Sequence, residues 1–136
     1  MFGKLLRHGH SAPYIIYPTN PNNVSYWEKY GGLKQLTPKG MQKMFEFGEF
    51  IKQNYSTFLT PNYDHRKVYA RSASTDRNLQ SAYAFLAGLY PPFNETQRWN
   101  DKLNWVGSKA TLKTEKFIFL HFCLNRNMNY APNPFN

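Results

Sequence analysis

The chain has 136 residues, which is enough for one domain with a modest hydrophobic core. It carries 17 lysines and arginines against 8 aspartates and glutamates, and the formal net charge of +9 favours anionic partners: phosphate esters, nucleic acid or acidic membrane surfaces. No apolar segment approaches the roughly 20 residues that span a bilayer, and the stretch MFGKLLRHG is too short in apolar residues for a secretory signal. A single cysteine, Cys123, excludes an internal disulfide.

The first half of the chain predicts a strand, a long loop and a helix. Residues 2–6 are short and apolar, as in a strand, and residues 9–35 hold three prolines with several asparagines and glycines, which is typical of a loop. Thr37 can cap a helix, with Pro38 in the first turn, where its missing N–H costs little. The helix face predicted to pack inward comprises Met41, Met44, Phe45, Gly48, Ile51 and Tyr55.

The second half begins with another strand and another helix. Residues 67–71 have strand character, and Ser74 or Thr75 can cap the helix that follows. Asp76 is favourable at the positive N-terminal end of that helix, and a Pro-Pro pair directly after residue 90 stops it. The predicted apolar face of this helix comprises Leu79, Ala82, Tyr83, Leu86 and Leu89.

The order strand, loop, helix, strand, loop, helix is typical of an α/β fold with a parallel sheet. Loops 7–13 and 71–76 then leave the carboxyl ends of their strands, which is the edge where open α/β sheets bind ligands. After Trp105 the pattern weakens: EKFIFLHFCL fits a strand or a helix, and the last 12 residues are typical of an unstructured tail. The candidate functional residues therefore lie in the two loops.

The first loop carries Arg7-His8-Gly9, which suits phosphoryl transfer. A neutral imidazole at His8 can attack phosphorus, Arg7 can fork onto phosphate oxygens, and Gly9 allows close backbone approach. Arg71 lies at the end of the second strand, and the two arginines converge on one anion if the strands are neighbours. The residues alone leave another interpretation open, in which His8 is a hydrogen-bonded structural histidine and Arg71 a surface or salt-bridge arginine.

Three stretches together resemble a known family: LLRHGHSAP, GGLKQLTPKGMQKMFEFGEFIKQNY and KVYARSASTDRNLQSAYAFLAGLYPP. They are similar to the N-terminal third of the histidine acid phosphatases of the prostatic and lysosomal type. The resemblance covers roughly residues 4–105, and it implies a phosphoglycerate-mutase-like α/β fold, a parallel sheet with flanking helices, here incomplete. It divides the chain into residues 1–105, the N-terminal part of a histidine acid phosphatase domain, and residues 106–136, a divergent C-terminal tail.

The resemblance also assigns roles to individual residues. His8 matches the nucleophile that forms a phosphohistidine, and Arg7 and Arg71 match phosphate-binding arginines. Asp76 and Arg77 match family positions too, but capping and ion pairing explain them without catalysis. No cofactor and no metal is predicted.

Two departures from the family pattern stand out. The motif's second arginine falls at Ser11, and the loss of one charged donor to the transferred phosphoryl group is worth ~3–4 kcal/mol, or roughly 10²–10³ in rate. His10, which is cationic at acid pH, is a candidate for partial compensation, so His10 and Ser11 are both predicted as weak contributors. The family's His-Asp pair, whose Asp protonates the leaving group, has no counterpart, since residues 63–66 read Tyr-Asp-His-Arg in the reverse order.

These departures lead to the expectation of a chain shortened at both ends, whether a fragment, a partial gene model or a splice form. Three functions follow from the residues and the resemblance. The first is acid phosphatase-like hydrolysis of phosphomonoesters through a phosphohistidine on His8, with weak or no turnover. The second is a non-catalytic phosphate- or anion-binding remnant. The third, nonspecific nucleic-acid binding, ranks last because the aromatic residues mostly fall at core spacing.

Partners and compartment follow only from the resemblance. A phosphomonoester substrate is expected, with no specific nucleic acid and no membrane span. Complete relatives are secreted or lysosomal, which leaves the compartment of this chain undecided. The oligomeric state is also open, a homodimer being one alternative for full-length relatives.

Overall fold

The structure, a computed structural model, describes residues 2–91, 112–115 and 120–124. The strands and helices in these ranges follow in chain order: β1 (Phe2–Leu6), α1 (Val24–Glu28), α2 (Pro38–Asn54), β2 (Val68–Ala73), α3 (Asp76–Leu89), β3 (Leu112–Glu115) and β4 (Leu120–Leu124). The predicted boundary near residue 105 and the predicted unstructured end, residues 125–136, lie outside the described residues. No helix in the described part of the chain is long and apolar enough to cross a membrane.

The described strands form one mixed sheet in the order β1-β4-β2-β3. β4 runs antiparallel to both of its neighbours, β1 and β2, whereas β2 and β3 are parallel. The parallel sheet predicted from the element order is therefore not confirmed. Because β1 and β2 both oppose β4, they run in the same direction, and their carboxyl ends lie at the same edge of the sheet.

The position of β4 corrects one assumption about the site. β1 and β2 are not neighbours, since β4 lies between them and Leu5 and Arg71 are both in register with His121. Neighbouring strands are about 4.8 Å apart, so the backbones of β1 and β2 are separated by roughly 10 Å. A ligand shared by Arg7 and Arg71 has to bridge this distance. β3 and β4 fall in the segment predicted as a divergent tail, and the domain boundary itself stays a prediction.

The start of α2 confirms the predicted helix signal. Thr37 is the N-cap with extended backbone, its hydroxyl accepts the N–H of Gly40 at 3.1 Å, and Pro38 occupies the first turn. The buried side of α2 consists of Gly40, Met44, Gly48 and Ile51. Met41 was predicted on this side but is 38% exposed; at about 100° per residue it lies roughly 60° from Met44, at the margin of the buried side, in the first turn of the helix.

α3 begins and ends close to the predicted positions. Thr75 occupies the N-cap, but its hydroxyl accepts from Asn78 Nδ2 at 2.8 Å instead of from a backbone N–H. The last helical bond, from Tyr90 N to Leu86 O at 2.9 Å, closes the helix before Pro91. The prediction that Tyr83 belongs to the apolar face is wrong, since Tyr83 is 56% exposed.

The long loop between β1 and α2 contains one element that the sequence pattern missed. α1 is a helix of 5 residues without buried side chains, and its N-cap Asn23 accepts the N–H of Tyr26 at 3.0 Å. Because its apolar residues are not spaced to form one buried side, the sequence shows no helical periodicity here. The prolines and glycines around it therefore dominated the prediction of a loop.

The core lies between the sheet and two closely packed helices. α3 packs on β2 and β3, and α2 packs on α3. The buried residues of this core come from β1, β2, α2, α3 and the segments that follow the two helices: Leu6, Met44, Ile51, Leu59, Val68, Ala70, Ala82, Phe85, Leu86, Leu89 and Tyr90. The two helices hold the residues that follow β1 and β2 in place from one side of the sheet.

α2 and α3 cross at a pair of glycines. A Cβ atom on Gly48 would collide with the carbonyl oxygen of Phe85 and lie 2.8 Å from the nitrogen of Leu89. A Cβ atom on Gly88 would collide in turn with the carbonyl oxygen of Phe45. The obstacles are backbone atoms in each case, so the crossing has no room for a side chain.

We expect Gly48→Ala to destabilise the chain by about 1–3 kcal/mol, because the added methyl group forces the helices apart. Helix propensity alone predicts the opposite, a gain of roughly 0.5–1 kcal/mol when alanine replaces glycine in a helix interior. Urea unfolding followed by circular dichroism measures the difference. Gln53→Ala, at an exposed position of the same helix, serves as control and should change stability by less than about 0.5 kcal/mol. A stabilised Gly48→Ala chain would contradict the close crossing.

Candidate functional site

His8 lies two residues after the end of β1, with its imidazole ring half-buried. Its Nδ1 lies 2.8 Å from the carbonyl oxygen of Gly9. A carbonyl can only accept, so Nδ1 carries the proton and donates it, and Nε2 of the neutral ring keeps a free lone pair. This tautomer makes Nε2 the nucleophilic nitrogen of His8.

Gly9 anchors the loop to both helices. Its N–H donates to the Ser81 hydroxyl at 3.0 Å, and that hydroxyl donates to the carbonyl of Arg77 at 2.5 Å, one turn earlier in α3. A Cβ atom at Gly9 would lie 2.6 Å from the carbonyl oxygen of Gly40 and 3.0 Å from Cγ of Met44. The residue next to the nucleophile is therefore a glycine because α2 approaches the loop too closely for a side chain.

His10 connects the same loop to the start of α2. The Thr37 hydroxyl donates to the backbone carbonyl of His10 at 3.0 Å and accepts the N–H of Gly40. The hydroxyl proton is thus already used, so the 2.8 Å contact with His10 Nδ1 is one in which the ring donates. A Cβ atom at Gly40 would collide with the carbonyl oxygen of His10. The ring of His10 is held by the helix cap, with Nε2 left for other contacts.

The other predicted residues occupy different places around this loop. Arg7 is exposed directly after β1, and Ser11 forms an isolated antiparallel bridge with Leu36. Arg71 is half-buried and lies within β2, not in a loop after it, and its Nε donates to the Tyr69 hydroxyl at 3.2 Å. Chain connectivity places Arg7 and Ser11 beside His8, whereas Arg71 lies across β4.

Two contacts of α3 were missed in the sequence. Ser81 is fully buried and holds Gly9, and a polar residue within the apolar pattern of α3 was the signal that could have indicated it. Arg77 is also buried, and its guanidinium Nη2 donates to the hydroxyl of Tyr14 and lies with its carbon 4.5 Å from the centre of that ring. The ion pair expected for Arg77 is not formed with any described residue.

Asp64, the acidic residue of the Tyr-Asp-His-Arg stretch, is not placed to protonate a leaving group. It precedes β2, whereas His8 lies at the edge where β1 and β2 end. Hydrogen bonds from the side chain and the backbone N–H of Arg66 lower the pKa of Asp64 to about 2. Its carboxylate therefore stays ionised at the acid pH where such a proton donor would act.

No group of three or more His, Cys, Asp or Glu side chains in the described ranges is arranged to hold a metal ion. The chemistry that the described residues offer is that of a nucleophilic imidazole among cationic groups. An anionic ester is the ligand class that this combination fits.

Comparisons with known proteins agree with this chemistry. Residues 7–122 match the model of the histidine phosphatase superfamily (branch 2). The chain is 42% identical over 121 residues to human prostatic acid phosphatase, covering 87% of this chain and 31% of that protein. It is 43% identical over 101 residues to human lysosomal acid phosphatase, covering 74% of this chain and 23% of that protein. The chain thus spans a third or less of the length of these curated relatives.

We expect Ser81→Ala to loosen the loop that carries His8, because the Gly9 N–H loses its buried acceptor. An unsatisfied buried donor costs about 1–3 kcal/mol, and amide hydrogen exchange at Gly9 should accelerate accordingly. Ser74→Ala, a matched change at an exposed position, should alter neither stability nor exchange at Gly9. Unchanged exchange at Gly9 in Ser81→Ala would show that Ser81 does not hold the loop.

Proposed function

Since the chain belongs to the histidine phosphatase superfamily (branch 2), we propose that it binds phosphomonoesters at the His8 loop and hydrolyses them through a phosphohistidine. The observation that carries this proposal is the hydrogen bond from His8 Nδ1 to the Gly9 carbonyl, which leaves Nε2 as a free nucleophile. Relatives named as acid phosphatases support the same reaction class.

The reaction proceeds in two displacements. The Nε2 lone pair of His8 attacks phosphorus, a P–N bond forms, and the bond from phosphorus to the ester oxygen breaks; that oxygen takes up a proton from solvent. Water then attacks the phosphohistidine and loses a proton to solvent, the P–N bond breaks, and inorganic phosphate leaves with the neutral imidazole restored. The chain's contribution is to orient the ring and to neutralise the charge of the transferred phosphoryl group.

Arg7 and Arg71 supply that neutralisation in the proposal. Arg7 is exposed beside the nucleophile, and Arg71 lies on β2, roughly 10 Å of sheet away from β1. A tetrahedral phosphate with its ester group extends over part of that distance, and the flexible side chains of two arginines cover the rest. The net charge of +9 adds a general attraction for anionic esters.

A second candidate is phosphate binding without turnover, and two observations favour it. Ser11 stands where the family motif has an arginine, and the 136 residues contain no His-Asp dipeptide. Asp64, whose Asp-His order reverses the family's His-Asp pair, is ionised and lies before β2. General acid catalysis contributes about 10²–10⁴-fold, so the proposed phosphatase is slow on esters whose leaving group needs a proton.

We therefore expect p-nitrophenyl phosphate, with its stable leaving group, to be hydrolysed at about pH 5, and phenyl phosphate to be hydrolysed at least about 10²-fold more slowly. His8→Ala should abolish the hydrolysis of p-nitrophenyl phosphate because it removes the nucleophile. His65→Ala, which removes an exposed histidine before β2, is the matched control and should leave the rate unchanged. Initial rates of inorganic phosphate release measure the hydrolysis of both esters by the unmodified chain and by the two variants.

Equal background rates in the unmodified chain and in His8→Ala would overturn the phosphatase proposal. Saturable binding of inorganic phosphate that depends on Arg7 and Arg71 would then support the second candidate. Hydrolysis of both esters at similar rates would contradict the absence of a proton donor.

A further inference from the structure

Arg77 is a buried cation for which the described structure provides no anion. Its side chain is only 8% exposed, in the first turn of α3. Its Nε is buried and has no hydrogen-bond partner in the described residues. The ion pairs in that part of the chain are Lys43 with Glu46 and Arg66 with Asp64, and neither involves Arg77. Burying an uncompensated charge is costly, so an anion is expected to meet this guanidinium.

Two contacts show where that anion would be. The guanidinium reaches Tyr14, which belongs to the same loop as His8. One turn further along α3, Ser81 accepts the N–H of Gly9. Four helical residues span about 6 Å, so the start of α3 lies along the loop that carries the nucleophile. Arg77 and Ser81 thus both contact the loop that carries His8, Arg77 at Tyr14 and Ser81 at Gly9.

The loop itself lacks a charge at this point. Ser11 occupies the position of the second arginine of the family motif, and its backbone is fixed by pairing with Leu36. Tyr14, three residues later, covers Arg77 with its ring and also has the ammonium of Lys34 at 5.2 Å from its centre. Two cations, Arg77 and Lys34, therefore lie against the Tyr14 ring, three residues after Ser11.

We propose that Arg77 is a third phosphate-binding arginine of this chain, beside Arg7 and Arg71, that it replaces the charge missing at Ser11, and that Tyr14 positions its guanidinium. This inference rests on the proposed function of the His8 loop. The unpaired Nε and its neighbouring nitrogens would donate to phosphate oxygens, as guanidinium groups do in a forked geometry. The ligand class is a phosphate monoester or inorganic phosphate.

The test is calorimetric titration of the 136-residue chain with inorganic phosphate at constant ionic strength. We expect Arg77→Gln to weaken the phosphate Kd by about 10- to 100-fold, since charge-assisted hydrogen bonds are lost. Arg66→Gln removes an arginine that is paired with Asp64 outside the site, and it should change the Kd by less than about twofold. Arg7→Gln reports separately on the proposed function.

A relocation of the charge makes the test specific. The double variant Ser11→Arg with Arg77→Gln restores a guanidinium on the loop, and the Kd should return to within about threefold of the unmodified chain. Damage to the fold alone would not be repaired in this way. If Arg77→Gln fails to fold, Arg77→Lys keeps the charge without the fork, and a Kd weakened by about fivefold or more supports the proposal.

The outcomes separate the two proposals. The role of Arg77 is overturned if phosphate binding depends on Arg7 but is unchanged by Arg77→Gln. Where Arg77→Gln does not fold, unchanged binding in Arg77→Lys overturns it in the same way. Either result leaves the proposed His8 site standing. A double variant that folds but does not recover phosphate binding also overturns it. An unmodified chain that does not bind phosphate overturns both proposals.

Discussion

The packing of this chain depends on two positions along one side of α2 where neighbouring backbone leaves no space for a side chain. Gly40 meets the backbone of His10 and Gly48 meets the backbone of α3, with Met44 between them. The two glycines are eight residues apart, about 12 Å along the helix. Because backbone touches backbone at both points, the loop after β1, α2 and α3 cannot move separately without losing packing that no side-chain rearrangement restores.

This constraint reaches the nucleophile through polar bonds. The orientation of the His8 ring is local, since it depends on the carbonyl of the next residue. The position of the loop is not local: Ser81 holds it from α3, and Thr37 holds it from α2. Both hydroxyls are buried, donate one bond and accept at least one, so their bonding leaves little freedom. A reactive imidazole gains from such support, because attack on phosphorus requires a fixed direction.

The sequence predicted what short-range chemistry determines. Thr37 and Pro38 mark the start of α2 because a cap acts within one turn, and the same holds for the end of α3 before Pro91. Helical periodicity identified the buried sides but misplaced Met41 and Tyr83 at their margins. The insertion of β4 between β1 and β2, and the contacts of Arg77, could not be predicted, because pairings between residues 50 or more positions apart leave no local pattern.

The difference between a loop arginine and a helix arginine has a physical consequence for anion binding. A side chain at position 11 projects from a loop, whereas Arg77 projects from the first turn of a helix that is fixed at Gly88 and already has its guanidinium ordered against Tyr14. An ordered donor loses less conformational freedom when the anion arrives. The N-terminal end of α3 also carries positive potential, which makes an uncompensated guanidinium there still more costly. An arginine on α3 is therefore better ordered for anion binding than an arginine on the loop. It also destabilises the chain more when no anion is bound.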